Sequence, residues 1–173
     1  AGERLDPDTW EWATRTLDVP VIDNWWQTET GWPIAANPVG VETFPIRPGS
    51  ATRPSPGFDV QILDESGNPV PPGTEGAVCI RLPLPPGTLT TLWGDDDRYV
   101  DTYWSRFGKN VYFAGDGAKL DEDGNIWVLG RVDDVMNVSG HRISTTEVES
   151  SLVGHPTVAE VDAVERAGVV ETL

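Results

Sequence analysis

The sequence is poor in cysteine, in basic residues and in long apolar runs. One cysteine in 173 residues excludes an intramolecular disulfide framework and fits a reducing cytoplasm. Lysine and arginine number 12 against 28 acidic residues, and the resulting net charge of −16 argues against nucleic acid or an anionic membrane as partner. No apolar run approaches the roughly 20 residues that a membrane-spanning helix needs. We therefore expect no nucleic-acid partner and no membrane partner.

Several common site motifs are also missing. The two histidines, His141 and His155, have no cysteine or histidine at ligand spacing, which argues against a zinc site. Neither the G-x-x-x-x-G-K-[ST] phosphate loop nor the G-x-S-x-G nucleophile elbow occurs. Hydrophobic residues still make up 38% of the chain, which is enough for a packed core. A folded chain with a packed core is the expectation.

Local patterns predict alternating helices and strands. Asp6 is a candidate N-cap with Pro7 at the first helical position, and the apolar run 19–22 reads as a short strand that leads into the polar segment 23–31. Cys79 lies in an apolar run and is expected to be buried. Further strands are predicted at 58–63, 77–82, 111–113, 126–129 and 135–138, with helices at 95–104 and from the Ser144 capping box to Leu152.

The segment 23–31 is the first candidate site. Trp25 and Trp26 stand beside a dense polar run, where one ring could stack on a planar ligand and the other could cap an apolar cavity. Thr28 offers a hydroxyl to a phosphate, and Glu29 offers a carboxylate to Mg²⁺. The alternative is a buried aromatic cluster followed by a polar turn.

Two further groups suit a nucleotide. Asp116 stands between glycines at the predicted end of a strand, where a carboxylate can accept both ribose hydroxyls, or where the chain simply turns. Arg131 and Arg142 lie near glycine-rich turns and suit a phosphate, although solvated surface charge is the competing interpretation. Eight tryptophans in an acidic chain rich in glycine and proline also leave open a sugar-binding β-domain.

In order along the chain, three blocks resemble the adenylate-forming superfamily, specifically its acetyl-CoA and propionyl-CoA synthetases. The blocks are Asp23–Gly31, Tyr112–Gly117 and Gly130–Arg142, and the likeness runs from Gly2 to about Val164. The resemblance implies a reaction in which a carboxylate attacks the α-phosphate of ATP with Mg²⁺. The thiol of CoA then displaces AMP from the acyl-adenylate. Segments 32–33 and 84–89 look closer to propionyl-CoA synthetases, which narrowly favours propionate over acetate.

The same resemblance implies roles for individual residues. Trp26 would cap an acyl pocket for a short chain, Glu29 would help to place Mg²⁺, and Ser139 and Gly140 would border the pantetheine passage. The set that matches a structural metal position is Val153, His155 and Val158. The residues that would bind ATP or AMP are Gly2, Glu3, Arg4, Asp23, Asn24, Trp25, Trp26, Gln27, Thr28, Asp116, Arg131 and Arg142, with Arg4 a departure from the usual proline.

The implied fold is α/β, in two parts. Residues 1–132 would be the end of the large AMP-binding domain, with a β-rich subdomain at about 40–90. Residues 133–173 would be the hinge, at Asp133, and the truncated beginning of the small α+β C-terminal domain. The family's phosphate loop and its catalytic lysine are absent from the sequence, so we expect a fragment without turnover of its own. A catalytically inactive remnant or interaction module of the same ancestry is the alternative.

Overall fold

A computed structural model describes residues 5–132, 135–138, 141–153, 155, 157–158, 163–166 and 169–172. The chain separates into two compact units, Ala1–Val128 and Leu129–Leu173. Both contain strands, and the mixture of helix and sheet confirms the expected α/β class. The division at residue 133, and the role of Asp133 as a hinge, stay predictions. Within the described ranges, no helix is long and apolar enough to cross a membrane.

The first helix begins where the sequence predicts. Helix α1 spans Pro7–Leu17, and the Asp6 carboxylate caps it by accepting a hydrogen bond from the Thr9 amide at 2.9 Å. Pro7 fills the first turn, where its missing N–H costs nothing. The Trp10 indole then donates to the Val21 carbonyl oxygen at 2.8 Å, which fastens the helix to the segment that follows it.

The predicted strand at 19–22 is wrong. Its residues carry no strand structure, and the Val21 carbonyl oxygen accepts from an indole rather than from a ladder partner. The strand begins two residues later: β1 spans Asn24–Trp25, β2 spans Ala35–Ala36 and β3 spans Arg53–Pro54, in the order β1-β2-β3 and antiparallel throughout. A short apolar run predicts burial, but a strand also needs a neighbour to pair with.

A four-stranded sheet forms the centre of the first unit. Its order is β4-β5-β6-β7, with β4 at Asp59–Leu63, β5 at Gly76–Arg81, β6 at Val111–Leu120 and β7 at Ile126–Arg131. The predicted strands 58–63, 77–82 and 126–129 are confirmed to within a residue or two at their ends. This sheet extends past the β-rich subdomain expected at about 40–90, whose limits stay a prediction.

Strand β6 is longer than the sequence predicts, which corrects the position of Asp116. The prediction placed Asp116 after a strand at 111–113, whereas Asp116 lies inside β6. Cys79 pairs with Phe113 and Ala77 with Gly117, so between these pairs one residue of β5 faces three of β6. This is a β-bulge, and Gly115 within it has a φ of 78°. The bulge gives Asp116 a local backbone that a regular strand would not have.

The core packs between this sheet and its neighbours. Its fully buried side chains include Ile34, Ala35, Val78, Ile80, Tyr112, Ala118 and Ile126. Helix α2 spans Asp96–Tyr103, which confirms the helix predicted at 95–104. Its last residue, Tyr103, and the C-cap residue, Trp104, pack against this core. Cys79 is buried, as expected, and desolvation raises the pKa of its thiol to about 12.

The second unit is built from strand pairs and one helix. Strands β8, Val135–Val138, and β9, His141–Ser144, form one antiparallel pair, and helix α3 spans Thr145–Val153. Strands β10, Ala163–Arg166, and β11, Val169–Thr172, form a second pair that the sequence did not predict. The strand predicted at 135–138 and the helix predicted to Leu152 are confirmed.

Candidate functional site

The candidate site forms where the segment after β1 meets the bulge of β6. The side-chain nitrogen of Gln27, Nε2, donates to the Asp116 carboxylate at 2.7 Å and to the Ala114 carbonyl oxygen at 2.6 Å. Both acceptors face one nitrogen, so they fix the orientation of the amide. Asp116 is only 7% exposed. Two blocks that the sequence singled out separately, 89 residues apart, are therefore in direct contact.

A tight turn presents Gln27 and Glu29. The backbone amides of Thr30 and Gly31 donate to the backbone carbonyl oxygen of Gln27 at 3.1 and 3.2 Å. The Thr30 hydroxyl accepts a hydrogen bond from the backbone amide of Gln27 at 3.2 Å. Thr30 is almost fully buried, and Gly31 has a φ of 61°, which suits glycine. The Ile34 amide closes the segment by donating to the Trp25 carbonyl oxygen at 2.8 Å. Thr30 thus shapes the turn.

Two tyrosines hold the polar side chains of this turn. The Tyr112 hydroxyl donates to the Gln27 amide oxygen at 3.1 Å, and the Tyr103 hydroxyl donates to the Glu29 carboxylate at 2.7 Å. Their rings stack, with centroids 5.3 Å apart and planes 9° from parallel. Desolvation raises the pKa of Tyr112 far above its ordinary value, and the neighbouring carboxylates of Glu29 and Asp116 add to this effect. The Tyr112 hydroxyl therefore keeps its proton.

The sequence did not assign a role to either tyrosine. Tyr112 was recognised only as part of a family block, and Tyr103 only as a helical residue. A signal was present, because a buried tyrosine needs a hydrogen-bond partner for its hydroxyl, and both residues lie in predicted elements rich in aromatic side chains. What the sequence does not contain is the partner, which depends on how α2 and β6 pack against the turn.

The paired tryptophans lie in different environments. Trp25 packs partly buried against the main core, whereas Trp26 is 50% exposed. The role of Trp25 as a wall and that of Trp26 as the cap of an acyl pocket stay predictions. Burial of both tryptophans would have contradicted a sugar-binding surface. Because Trp26 is half exposed, that alternative is not contradicted.

Three further residues that are expected to bind the nucleotide, Asp23, Asn24 and Thr28, lie in the same segment as Gln27. The Asp23 carboxylate accepts from the Asn24 amide at 2.8 Å, and Asn24 and Thr28 are exposed. Arg131 ends β7 and is exposed. Their nucleotide-binding roles stay predictions. The remaining expected residues lie outside the described residues, or have side chains that do: Gly2, Glu3, Arg4, Asp133, Ser139, Gly140 and Arg142.

The described residues fit a metal only in part. Among them, no group of three or more histidine, cysteine or acidic side chains could hold an ion. Glu29 brings one carboxylate, and such a donor suits Mg²⁺ whose other ligands are phosphate oxygens and water. At the second expected position, the His155 carbonyl oxygen accepts from the Val158 amide at 2.9 Å, and the side chain of Val153 is outside the described residues. Both metal positions stay predictions.

A separate cavity of about 250 Å³ opens elsewhere on the first unit. None of the predicted site residues lines it. Arg47, at its edge, pairs with Asp121 and Asp123, and Arg53 stacks on the Phe44 ring with its guanidinium carbon 5.0 Å from the centroid. The ion pairs satisfy the charge of Arg47 locally, and we assign the cavity no role.

Comparisons with known proteins identify the family of this chain. Residues 1–88, about half of the chain, match the sequence model of the AMP-binding enzyme family. An acetyl-coenzyme A synthetase of Streptomyces coelicolor is 53% identical over 94% of this chain and 25% of the relative. A propionate–CoA ligase of Escherichia coli is 51% identical over 95% of this chain and 26% of the relative.

A solved structure gives the same answer for the fold. The crystal structure of an anthranilate CoA ligase in complex with anthranoyl-AMP superposes with a TM-score of 0.81 and 29% identity. The match covers 99% of this chain and 31% of that one. The chain spans about a quarter of the length of the curated relatives that it matches.

Proposed function

This chain belongs to the AMP-binding enzyme family, and from that premise we propose that it is part of an AMP-forming acid–thiol ligase that activates propionate or acetate. One observation carries the proposal beyond family membership: Gln27 binds Asp116 directly, so the two blocks expected to surround a nucleotide converge in the first unit. Relatives named as acetyl-coenzyme A synthetase and propionate–CoA ligase, each about half identical to this chain, support the reaction class.

In the proposed reaction, a carboxylate oxygen attacks the α-phosphate of ATP, and pyrophosphate leaves. The CoA thiolate then attacks the acyl carbon, and AMP leaves. Asp116 would accept hydrogen bonds from the ribose hydroxyls, because a buried carboxylate in a bulge can accept several donors at once. Glu29 would hold Mg²⁺, which when bound would neutralise phosphate charge. Phosphate positioning in the whole protein would come in part from residues outside this chain.

Propionate is the preferred acid in this proposal. The segment 84–89, on which that preference rests in part, contacts the candidate site. The Leu89 amide, in the segment that favours propionyl-CoA synthetases, donates to the Glu29 carbonyl oxygen at 2.6 Å. This segment therefore touches the backbone of the turn that presents Glu29 and Gln27. A reducing cytoplasm is the proposed compartment, which the free buried Cys79 supports.

The test is a graft into an active relative. This chain replaces the matching quarter of the Streptomyces coelicolor acetyl-coenzyme A synthetase, and acid-dependent exchange between ATP and pyrophosphate is measured with acetate and with propionate. We expect exchange with both acids, and a loss of about 10- to 100-fold in Asp116→Ala, because one or two hydrogen bonds to a charged group disappear. The isolated chain is expected to give no exchange.

The control for the graft is Asp101→Ala, which removes an exposed carboxylate of α2 and should leave exchange unchanged. A graft that folds and shows no acid-dependent exchange would contradict the proposed function. Equal losses in Asp116→Ala and Asp101→Ala would contradict the proposed role of Asp116.

A further inference from the structure

Tyr103 and Tyr112 form a stacked pair whose two hydroxyls reach two residues of one turn. Tyr112 comes from β6 and Tyr103 from α2, and their targets, Gln27 and Glu29, are separated by a single residue. The near-parallel stacking, at 9° and 5.3 Å, holds both rings against one another. The pair therefore fixes two neighbouring polar side chains from one side.

The donors and acceptors around Gln27 determine which of its atoms Tyr112 contacts. The Gln27 nitrogen faces two acceptors, the Asp116 carboxylate and the Ala114 carbonyl oxygen, so the Gln27 oxygen is the atom left to face Tyr112. Tyr112 is fully buried, which makes it costly to leave its hydroxyl without a partner. The Tyr112 hydroxyl thus orients the side-chain amide of Gln27, and that amide in turn orients the Asp116 carboxylate.

The second contact is independent of the first. Tyr103 donates to the Glu29 carboxylate at 2.7 Å, which is a short hydrogen bond to a group that carries charge when ionised. No step in this contact passes through Gln27 or Asp116. Loss of the Tyr103 hydroxyl should therefore loosen Glu29 and leave the Gln27–Asp116 contact intact.

We propose that Tyr112 and Tyr103 are positioning residues with separate tasks: Tyr112 orients Asp116 through Gln27, and Tyr103 orients Glu29. The inference rests on the proposed function, because it assigns Asp116 to the ribose and Glu29 to Mg²⁺. It adds two residues that touch neither ligand, and it ties α2 to the chemistry of the turn. The two tasks lead to different losses of binding.

The test compares Tyr112→Phe and Tyr103→Phe in this chain, with affinities for AMP and for ATP plus Mg²⁺ measured by calorimetry. Tyr112→Phe should weaken both ligands about 3- to 10-fold, because ribose is common to both. Tyr103→Phe should leave AMP unchanged and reduce the gain in ATP affinity that Mg²⁺ provides. A merely structural role would weaken both ligands equally in both variants, and that result would overturn the inference.

The matched control is Tyr99→Phe, one helical turn before Tyr103. The Tyr99 ring belongs to the same aromatic cluster, with its centroid 5.6 Å from that of Tyr103, but its hydroxyl donates to the Leu89 carbonyl oxygen. Neither the Gln27 nor the Glu29 side chain is its partner, and Leu89 itself contacts the backbone of Glu29 rather than its carboxylate. Tyr99→Phe should therefore leave both affinities within twofold of the wild type.

A measurement without ligand separates this inference from the proposed function. The side-chain amide signals of Gln27 are followed by ¹⁵N NMR, and Tyr112→Phe should shift them and speed their exchange with water, whereas Tyr99→Phe should not. If the wild-type chain binds no AMP yet Gln27 responds in this way, the ligand assignment fails and the positioning contact stands. If Gln27 does not respond, the inference is overturned.

Discussion

At the scale of single residues, hydrogen bonds hold two carboxylates of the first unit, Asp116 in the candidate site and Asp121 outside it. Asp116 is buried and receives a hydrogen bond from Gln27, while Asp121 directly follows β6 and lies in a hairpin turn. Asp121 accepts from the Asn125 amide and the Asn125 side chain, both at 2.8 Å, and from the Trp127 indole at 3.3 Å. The turn from Asp121 to Gly124 connects β6 and β7, and the Gly124 amide donates to the Asp121 carbonyl oxygen at 2.9 Å.

The Asp121 contacts predict a dependence of stability on acid. Partial burial acts to raise the pKa of Asp121, but hydrogen bonds from Asn125 and Trp127, with the charge of Arg47, lower it below its ordinary value. A lowered pKa in the folded state stabilises the fold above about pH 4 and stops doing so as the pH falls through the folded value. Asp121→Ala should thus cost about 1–2 kcal/mol at pH 7, with a smaller cost at pH 3.

Urea unfolding of the wild type and of Asp121→Ala at both pH values measures this difference. Asp123→Ala is the control, since Asp123 is mostly exposed and its ion pair with Arg47 lies at the surface. A cost for Asp121→Ala that is the same at pH 3 and pH 7 would contradict the assigned charge effect.

At the scale of elements, the pairing of β4 with β5 requires a glycine at position 76. A Cβ on Gly76 would lie 2.6 Å from the Leu63 carbonyl oxygen and 2.9 Å from an Ile62 methyl carbon. The backbone oxygen cannot move without disturbing the ladder, in which Leu63 pairs with Ala77. Gly76→Ala should therefore destabilise the first unit by about 1–3 kcal/mol.

The comparison for Gly76→Ala is Gly40→Ala, because a Cβ on Gly40 meets nothing within 4 Å. We expect Gly40→Ala to change the free energy of unfolding by less than about 1 kcal/mol. Chemical denaturation of both variants is the measurement. Equal stability of the two variants would show that the close approach at Gly76 has no energetic consequence.

Local signals predicted elements better than their contacts. The Asp6 cap, the alternation of Val60 and Ile62, and the acidic start of α2 are local patterns, and all three elements form where expected. The run 19–22 failed as a strand because pairing depends on distant chain. The bulge in β6 that contains Asp116 could not be predicted either, because a bulge is defined by the register of β6 against β5.

The candidate site shows the same limit. Glycines around Asp116 and the aromatic and polar run near Gln27 marked both as candidates, and the structure brings these two together. The tyrosine hydroxyls that hold Gln27 and Glu29 come from elements 74 and 85 residues away along the chain. Sequence spacing carries no record of such contacts, so Tyr103 and Tyr112 emerged only from the packing.

At the scale of the whole molecule, the chain is an acidic member of the AMP-binding enzyme family, forms two compact units and spans about a quarter of the length of the Streptomyces coelicolor relative. Its first unit contains the convergence of Gln27 and Asp116, and the structural likeness to a ligase in complex with an acyl-adenylate covers 99% of the chain. The central claim is therefore that an adenylate half-site is formed by these residues, and it does not depend on turnover.

Thermal unfolding of this chain, with and without a non-hydrolysable propionyl-adenylate mimic, tests that claim most directly. At about 100 times its dissociation constant, a ligand that binds only the folded chain should add about 2.7 kcal/mol to the free energy of unfolding. If these residues form the half-site, the mimic raises the unfolding temperature clearly, and Asp116→Ala abolishes the rise. A chain that unfolds cooperatively and shows no rise at any mimic concentration would contradict it.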